Sequence, residues 1–201
     1  MKNLITLLPI LLLTMTSMAQ NTQNIISVSG NHEYKVQPEL TAKMMISLNN
    51  IYYDAPGMTF PEIKTSYMNN LSKAGISKAK ISEDDLAYTI MGYEKEGTII
   101  AFKTTSIEEL KTFLGVKSLG VSRSETTMKF TLTDEEMANY AKLAFENAKS
   151  KAEALAKKIG RTVGKVSTIS DNNSNKVSGS LYYTNEINTR DYYISVSFEL
   201  L

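Results

Sequence analysis

The chain has 201 residues, with 22 Lys or Arg, 21 Asp or Glu, one histidine, no cysteine and no tryptophan. A formal net charge of +1 excludes nucleic-acid capture of the strongly basic kind, which neutralises many phosphates at once. Without cysteine there is no disulfide framework, thiolate metal site, thiol nucleophile or lipidated cysteine, and one histidine excludes a multi-histidine metal centre within one subunit.

Residues 1–19 read as a signal peptide. Lys2 is the lone charge ahead of the apolar run from Leu4 to Leu13, and the small residues Ser17 and Ala19 suit cleavage after Ala19. A spanning helix needs roughly 20 apolar residues, and this run has about half that. Cleavage removes Lys2 and leaves a formally neutral mature chain, residues 20–201, expected in the periplasm or outside the cell. No later apolar run is long enough for a transmembrane helix.

Along the mature chain, two periodicities alternate. Ile26 and Val28 alternate with Ser27 and Ser29, the pattern of a half-buried strand. After Pro38, Leu40, Ala42, Met44, Ile46 and Leu48 share one face of a second strand, with Met45 an exception on the other. Thr59, with Pro61 in the first turn, predicts a helix start; Ile63, Tyr67 and Leu71 form its stripe, and Gly75 suits the left-handed position that ends it. Leu86 to Tyr93 and Thr98 to Thr104 read as a hairpin around Glu94, Lys95, Glu96 and Gly97.

Ser106 with Glu109, and Thr133 with Glu136, have the spacing of capping boxes and predict a short helix and a long one. Met128, Phe130 and Leu132 mark a strand between them. The long helix carries Ala141, Ala144, Ala148, Ala152, Leu155 and Ile159 at spacings of three and four, a small-residue stripe that lets its backbone approach a sheet. Val163 to Ser170 reads as a strand, and Tyr192, Ile194, Val196, Phe198 and Leu200 alternate cleanly in the last one.

This order predicts an α+β fold of two intimately joined sub-domains. One is a β-β-α-β-β sheet completed by the C-terminal strand, about 24–105 plus 190–201. The other is an inserted split β-α-β unit of ferredoxin-like type, about 98–170. A variable loop spans 171–191.

Three segments, in this order, carry a family resemblance. Ile26-Ser27-Val28-Ser29-Gly30 and then Val36-Gln37-Pro38-Glu39-Leu40-Thr41-Ala42 resemble the opening of the SIMPL-domain family, with Glu39 where the family has Asp. Gly75-Ile76, with Ile81 after it, is similar to the family's segment after the first helix. Ala148-Lys149-Ser150-Lys151-Ala152-Glu153-Ala154-Leu155-Ala156-Lys157-Lys158-Ile159-Gly160, continuing through Val163-Gly164-Lys165-Val166, looks like its long helix end and following strand. The resemblance implies an α+β protein of the bacterial periplasm or surface, prone to form oligomers and often stress-linked. It supplies no catalytic residues.

The residues themselves mark no catalytic, cofactor-binding or metal site. Glu83, Asp84 and Asp85, with Glu94 and Glu96, offer carboxylates for acid–base work or Ca²⁺, but they fall in turns without a calcium-loop pattern and read as solvated charge. His32 reads as a surface-loop residue without an orienting partner. Ser178 lacks a nucleophile elbow, and Gly160 and Gly164 lack the ending of a phosphate loop. Lys149, Lys151, Lys157, Lys158, Arg161 and Lys165 suit the C-terminal end of the long helix. In loop 171–191, Tyr182 and Tyr183 are candidates for docking on a neighbouring subunit or glycan, or for covering their own sheet.

The expected function is that of a non-enzymatic, exported envelope protein working as an oligomeric scaffold or binding module. Its partners would be copies of itself and envelope components, with no cofactor and no nucleic acid. The alternatives are a hydrolase acting on envelope glycan or peptide through carboxylates, and a small-ligand or lipid carrier.

Overall fold

The alternation of Leu40, Ala42, Met44 and Ile46 places these side chains on one face of β2 (Glu39–Ser47), all of them in the core. The computed structural model describes residues 24–51, 57–181 and 187–201. It divides into two compact units, residues 32–142 with 173–192, and residues up to 31 with 143–172 and 193–201.

In the larger unit, β2 pairs antiparallel with β4 (Gly97–Thr104) on one side and β5 (Val121–Thr131) on the other. The edges are β3 (Ile81–Asp84), on β4, and β7 (Lys176–Ser180), on β5, so the sheet order is β3-β4-β2-β5-β7. Glu39 lies opposite Lys129 and Lys43 opposite Glu125, and both pairs close as ion pairs, at 3.0 and 2.8 Å. Cross-strand pairs of opposite charge favour this register over its neighbours.

Helices α1 (Phe60–Lys73) and α3 (Ile107–Gly115) cover one face of this sheet. Ile63, Tyr67 and Leu71 from α1 join Leu110 and Phe113 from α3 over Ile100 and Phe102. Phe113 stacks on Phe102 with ring centroids 4.6 Å apart. Both helices begin with side-chain caps. The Thr59 N–H donates to Glu62 Oε2 at 2.8 Å, and Ser106 Oγ accepts from the Glu109 N–H at 3.2 Å. The Glu109 carboxylate does not complete the second box: it accepts from Thr104 and Lys80 instead.

The α+β class holds, and the strands are distributed differently from the expectation. Strands β2 and β3 are parallel with β4 between them, and β4 and β5 are parallel with β2 between them. With α1 and α3 as their connections, β2 to β5 make two interlocked split β-α-β units in ferredoxin-like order. The ferredoxin-like unit is therefore residues 39–131, not an insertion at 98–170. Nor does the last strand (Thr189–Leu200) complete this sheet: it lies in a separate three-stranded sheet, between Ile25–Lys35 and Val163–Asp171. The boundaries at 24–105 plus 190–201 and at 98–170 are corrected accordingly.

Leu86 to Tyr93 is not a strand. Asp84 Oδ1 accepts from the Ala87 N–H at 2.9 Å and starts the short helix α2 (Asp85–Ile90), with Asp85 in its first turn. This N-terminal signal outweighs the alternation of Leu86, Tyr88 and Ile90. The expected loop 171–191 contains β7, and the Leu132 N–H reaches Asn175 O at 2.8 Å beside it.

The smaller unit contains most of β1 (Ile25–Lys35), β8 (Thr189–Leu200) and α4 (Asp134–Lys158), and all of β6 (Val163–Asp171). Its strands belong to a three-stranded sheet of order β1-β8-β6. The stripe Ala144, Ala148, Ala152 and Ala156 of α4 is buried, and Phe145 meets Phe198 of β8 with centroids 6.1 Å apart. Gly30 of β1 sits against this helix. A Cβ there would lie 2.0 Å from Ala144 O and 2.8 Å from Ala148 Cβ.

Two predictions follow from these contacts. Gly30→Ala forces helix and strand apart and is expected to cost about 1–3 kcal/mol or more, measured as a lower urea midpoint; an unchanged midpoint would contradict the close approach. At the start of α4, the Thr133 N–H and hydroxyl donate to Glu136 at 2.8 and 2.9 Å and hold its carboxyl below the ordinary 4.5. Folding thus favours the ionised form, whose stabilisation is full above pH 4.5 and is lost as pH falls through the depressed value. The melting advantage of the wild type over Glu136→Gln is expected at neutral pH and should vanish on acidification; a gap of constant size would refute it.

Candidate functional site

The C-terminus of α1 shapes a groove in the larger unit. Gly75 takes φ +82°, a left-handed conformation open to glycine, and the Ile76 N–H closes back on Leu71 O at 3.0 Å. That turn brings Ile76 beside Leu71. Together with Ile81 and Ile100 they line a groove of about 570 Å³ between α1 and the edge strand β3. Lys64, Met68 and Ser72 line its helix side at intervals of four, and Lys64 pairs with Glu83 of β3. Beyond Met68, a second hollow of about 320 Å³ continues toward Phe60. The result is an apolar floor under a polar rim, suited to an apolar group carrying a polar end.

The acidic residues singled out in the sequence have separate local roles. Glu83 pairs with Lys64, Asp84 caps α2, and Asp85 Oδ1 accepts from Thr98 Oγ1 at 2.6 Å. Glu94 and Glu96 are exposed in the turn before β4. Among the described residues, no group of three or more His, Cys, Asp or Glu could hold a metal ion. No described helix is long and apolar enough to cross a membrane.

His32 is not in a surface loop. It is a half-buried residue of β1, its ring 5.5 Å from Tyr140, which in turn stacks on Tyr34 at 4.5 Å. Burial pushes the Tyr34 phenol upward, with Arg190 opposing. Ser178 lies on β7 opposite Lys129, and Gly160 follows α4. At the basic end of α4, Lys151 reaches Ser29 O and Asn31 Oδ1 at 3.1 Å, and Arg161 reaches the backbone oxygens of Leu200 and Leu201 at 2.9 Å. Tyr182 and Tyr183 lie outside the described residues, as do residues 1–19, the expected signal peptide. Beside the tyrosines, Leu181 and Ile187 pack against the larger unit's core.

A family model described as SIMPL, protein of unknown function (DUF541), matches residues 26–192. The chain belongs to the SIMPL family. No curated protein matches it. The matched span takes in every strand and helix of the SIMPL domain described above, except Ile25 of β1 and residues 193–200 of β8.

The feature of this SIMPL domain that sequence periodicity missed is the surface carried by α2. Its anchor is Tyr88, buried with Met45 and Ile99 on the sheet face away from α1 and α3. The Tyr88 hydroxyl lies 2.5 Å from Ser47 Oγ, donates to Lys95 O at 2.7 Å and accepts from Asn49 Nδ2 at 3.1 Å. With Tyr88 held inside, Leu86, Ile90 and Met91 are left exposed. The signal that could have found this helix was the pair Asp84 and Asp85 ahead of a short apolar run.

Tyr67 makes an informative contrast. It is fully buried, its hydroxyl has no hydrogen-bond partner among the described residues, and burial pushes its phenol far up. Tyr88→Phe is expected to lose about 1–3 kcal/mol by orphaning its partners. Tyr67→Phe should be neutral, or gain about 1 kcal/mol, by removing an unsatisfied group. Urea unfolding of both variants tests the contrast, and equal losses would overturn it.

Proposed function

We propose that this protein is an exported, non-enzymatic envelope protein that works as a self-assembling scaffold or binding module. The observation that carries the reading is the set of large apolar side chains that α2 and its turn hold in solvent: Leu86, Ile90 and Met91. Clustered apolar groups held outward by a buried anchor favour association, since covering each removes apolar area from water. The sequence supports the compartment through Lys2, the apolar run to Leu13 and the small residues Ser17 and Ala19.

The two alternatives find less support. Acid–base hydrolysis needs two carboxylates facing one cleft, and the groove beside α1 is lined by one, Glu83, already paired with Lys64. A carrier needs an enclosed apolar pocket, whereas the groove's rim residues Asn69, Ser72 and Lys78 are exposed.

Light scattering of residues 20–201 at micromolar concentration tests assembly. A mass several times that of one chain is expected, and a monomer across the concentration range would refute it. Fractionation of the producing cells, with sequencing of the recovered N-terminus, tests export. The expected outcome is a periplasmic or extracellular product beginning at Gln20; a cytoplasmic product retaining Met1 would contradict it.

A further inference from the structure

The two units each display an apolar surface, and the charges around those surfaces are opposite. On the larger unit, Leu86 and Ile90 are spaced by four on α2 and are 69% and 76% exposed. The segment from 83 to 96 that carries them holds five carboxylates and one lysine. Glu94 and Glu96 have no ion-pair partner among the described residues. On the smaller unit, Leu155 of α4 and Ile159 in the turn that follows it are four residues apart and are 53% and 63% exposed. The segment from 149 to 165 that carries them holds six basic residues and Glu153. Lys157 and Lys158 have no ion-pair partner among the described residues.

From this charge complementarity we propose that the acidic, apolar surface of α2 docks on the basic, apolar surface at the C-terminal end of α4 in a second copy of the chain. The inference rests on the assembly reading and names its interface. Like surfaces repel: two copies meeting α2 to α2 bring carboxylates together, and two meeting α4 to α4 bring lysines together. Unlike surfaces attract and bury Leu86 and Ile90 against Leu155 and Ile159. Such contact is heterologous, so it leaves one free surface of each kind on every pair and propagates until a ring closes or a filament grows. Opposed charges around an apolar contact also set the register and speed of encounter, and weaken with salt.

A charge exchange in the mature chain tests the proposal. Glu94→Lys with Glu96→Lys reverses the charges beside α2 that have no ion-pair partner among the described residues, and Lys157→Glu with Lys158→Glu does the same at the end of α4, so that in each variant these facing positions carry like charge. By light scattering each variant alone is expected to lose the multimer, and an equimolar mixture to recover it, because the altered surfaces now match in trans. Swapped chains that stay multimeric, or that dissociate and do not reassemble on mixing, overturn the proposal. A wild type that is monomeric removes the assembly reading itself, which separates the two failures. If circular dichroism shows that either swapped chain has not folded, the apolar variants decide. Leu86→Ser with Ile90→Ser, and Leu155→Ser with Ile159→Ser, should each be monomeric, and their mixture should stop at two chains. An interface built from one self-complementary surface would give no such dimer.

Discussion

Strand β2 is hydrogen-bonded along both edges, buried on one face and partly buried on the other, and the larger unit is arranged around it. A slip of one residue would carry Leu40, Ala42, Met44 and Ile46 away from α1 and α3, and would part Lys43 from Glu125 and Glu39 from Lys129. The two kinds of interaction differ in size. Burying one such aliphatic side chain contributes about 1.5–3 kcal/mol, whereas an exposed ion pair contributes about 0–1 kcal/mol. Packing therefore holds the sheet, and charge helps to select among registers. Both features with functional promise descend from this strand. Its pairing with β4 places β3 beside α1 and opens the groove, and Met45 on its opposite face seats Tyr88 and orients α2.

Elements whose periodicity is long were legible in the sequence. The stripe Ile63, Tyr67, Leu71 and the box Thr133 to Glu136 each defined a helix within a residue or two of its ends. Where the reading failed, two local signals competed or the answer was non-local. At 84–93, a period-two pattern of apolar residues coincided with an acidic N-cap, and six residues are too few for a helical period to show. The last strand lies beside β1, where Ser27 and Ser197 meet across 170 positions, a pairing that no local window contains. His32 looked like a loop residue because Asn31 and Glu33 flank it, and its aromatic neighbour Tyr140 is more than a hundred positions away. The groove had no motif to read: its lining comes from a helix flank, a cap and an edge strand.

Net charge proved a poor guide to surface chemistry. The chain has nearly as many acidic as basic residues, 21 against 22, yet carboxylates gather near α2 and amines near the end of α4. Part of the basic cluster is structural, since Lys151 and Arg161 bond to backbone and amide oxygens. A helix C-terminus accommodates cations for reasons of its own, so composition alone could not separate those that fasten the helix end from those left facing solvent.

The three-stranded sheet has a bearing on the order of folding. Ser27 of β1 meets Ser197 of β8 across a separation of 170 residues, and β8 is the strand next to β1 in the sheet. During vectorial synthesis β1 is therefore made early and waits, while β2 to β5 acquire their partners from much nearer in the chain. Contacts of such long range are slow to form because loop closure must precede them. The serines that alternate along β1 keep the waiting segment polar on one side, which makes it a poor nucleus for aggregation before its partner exists.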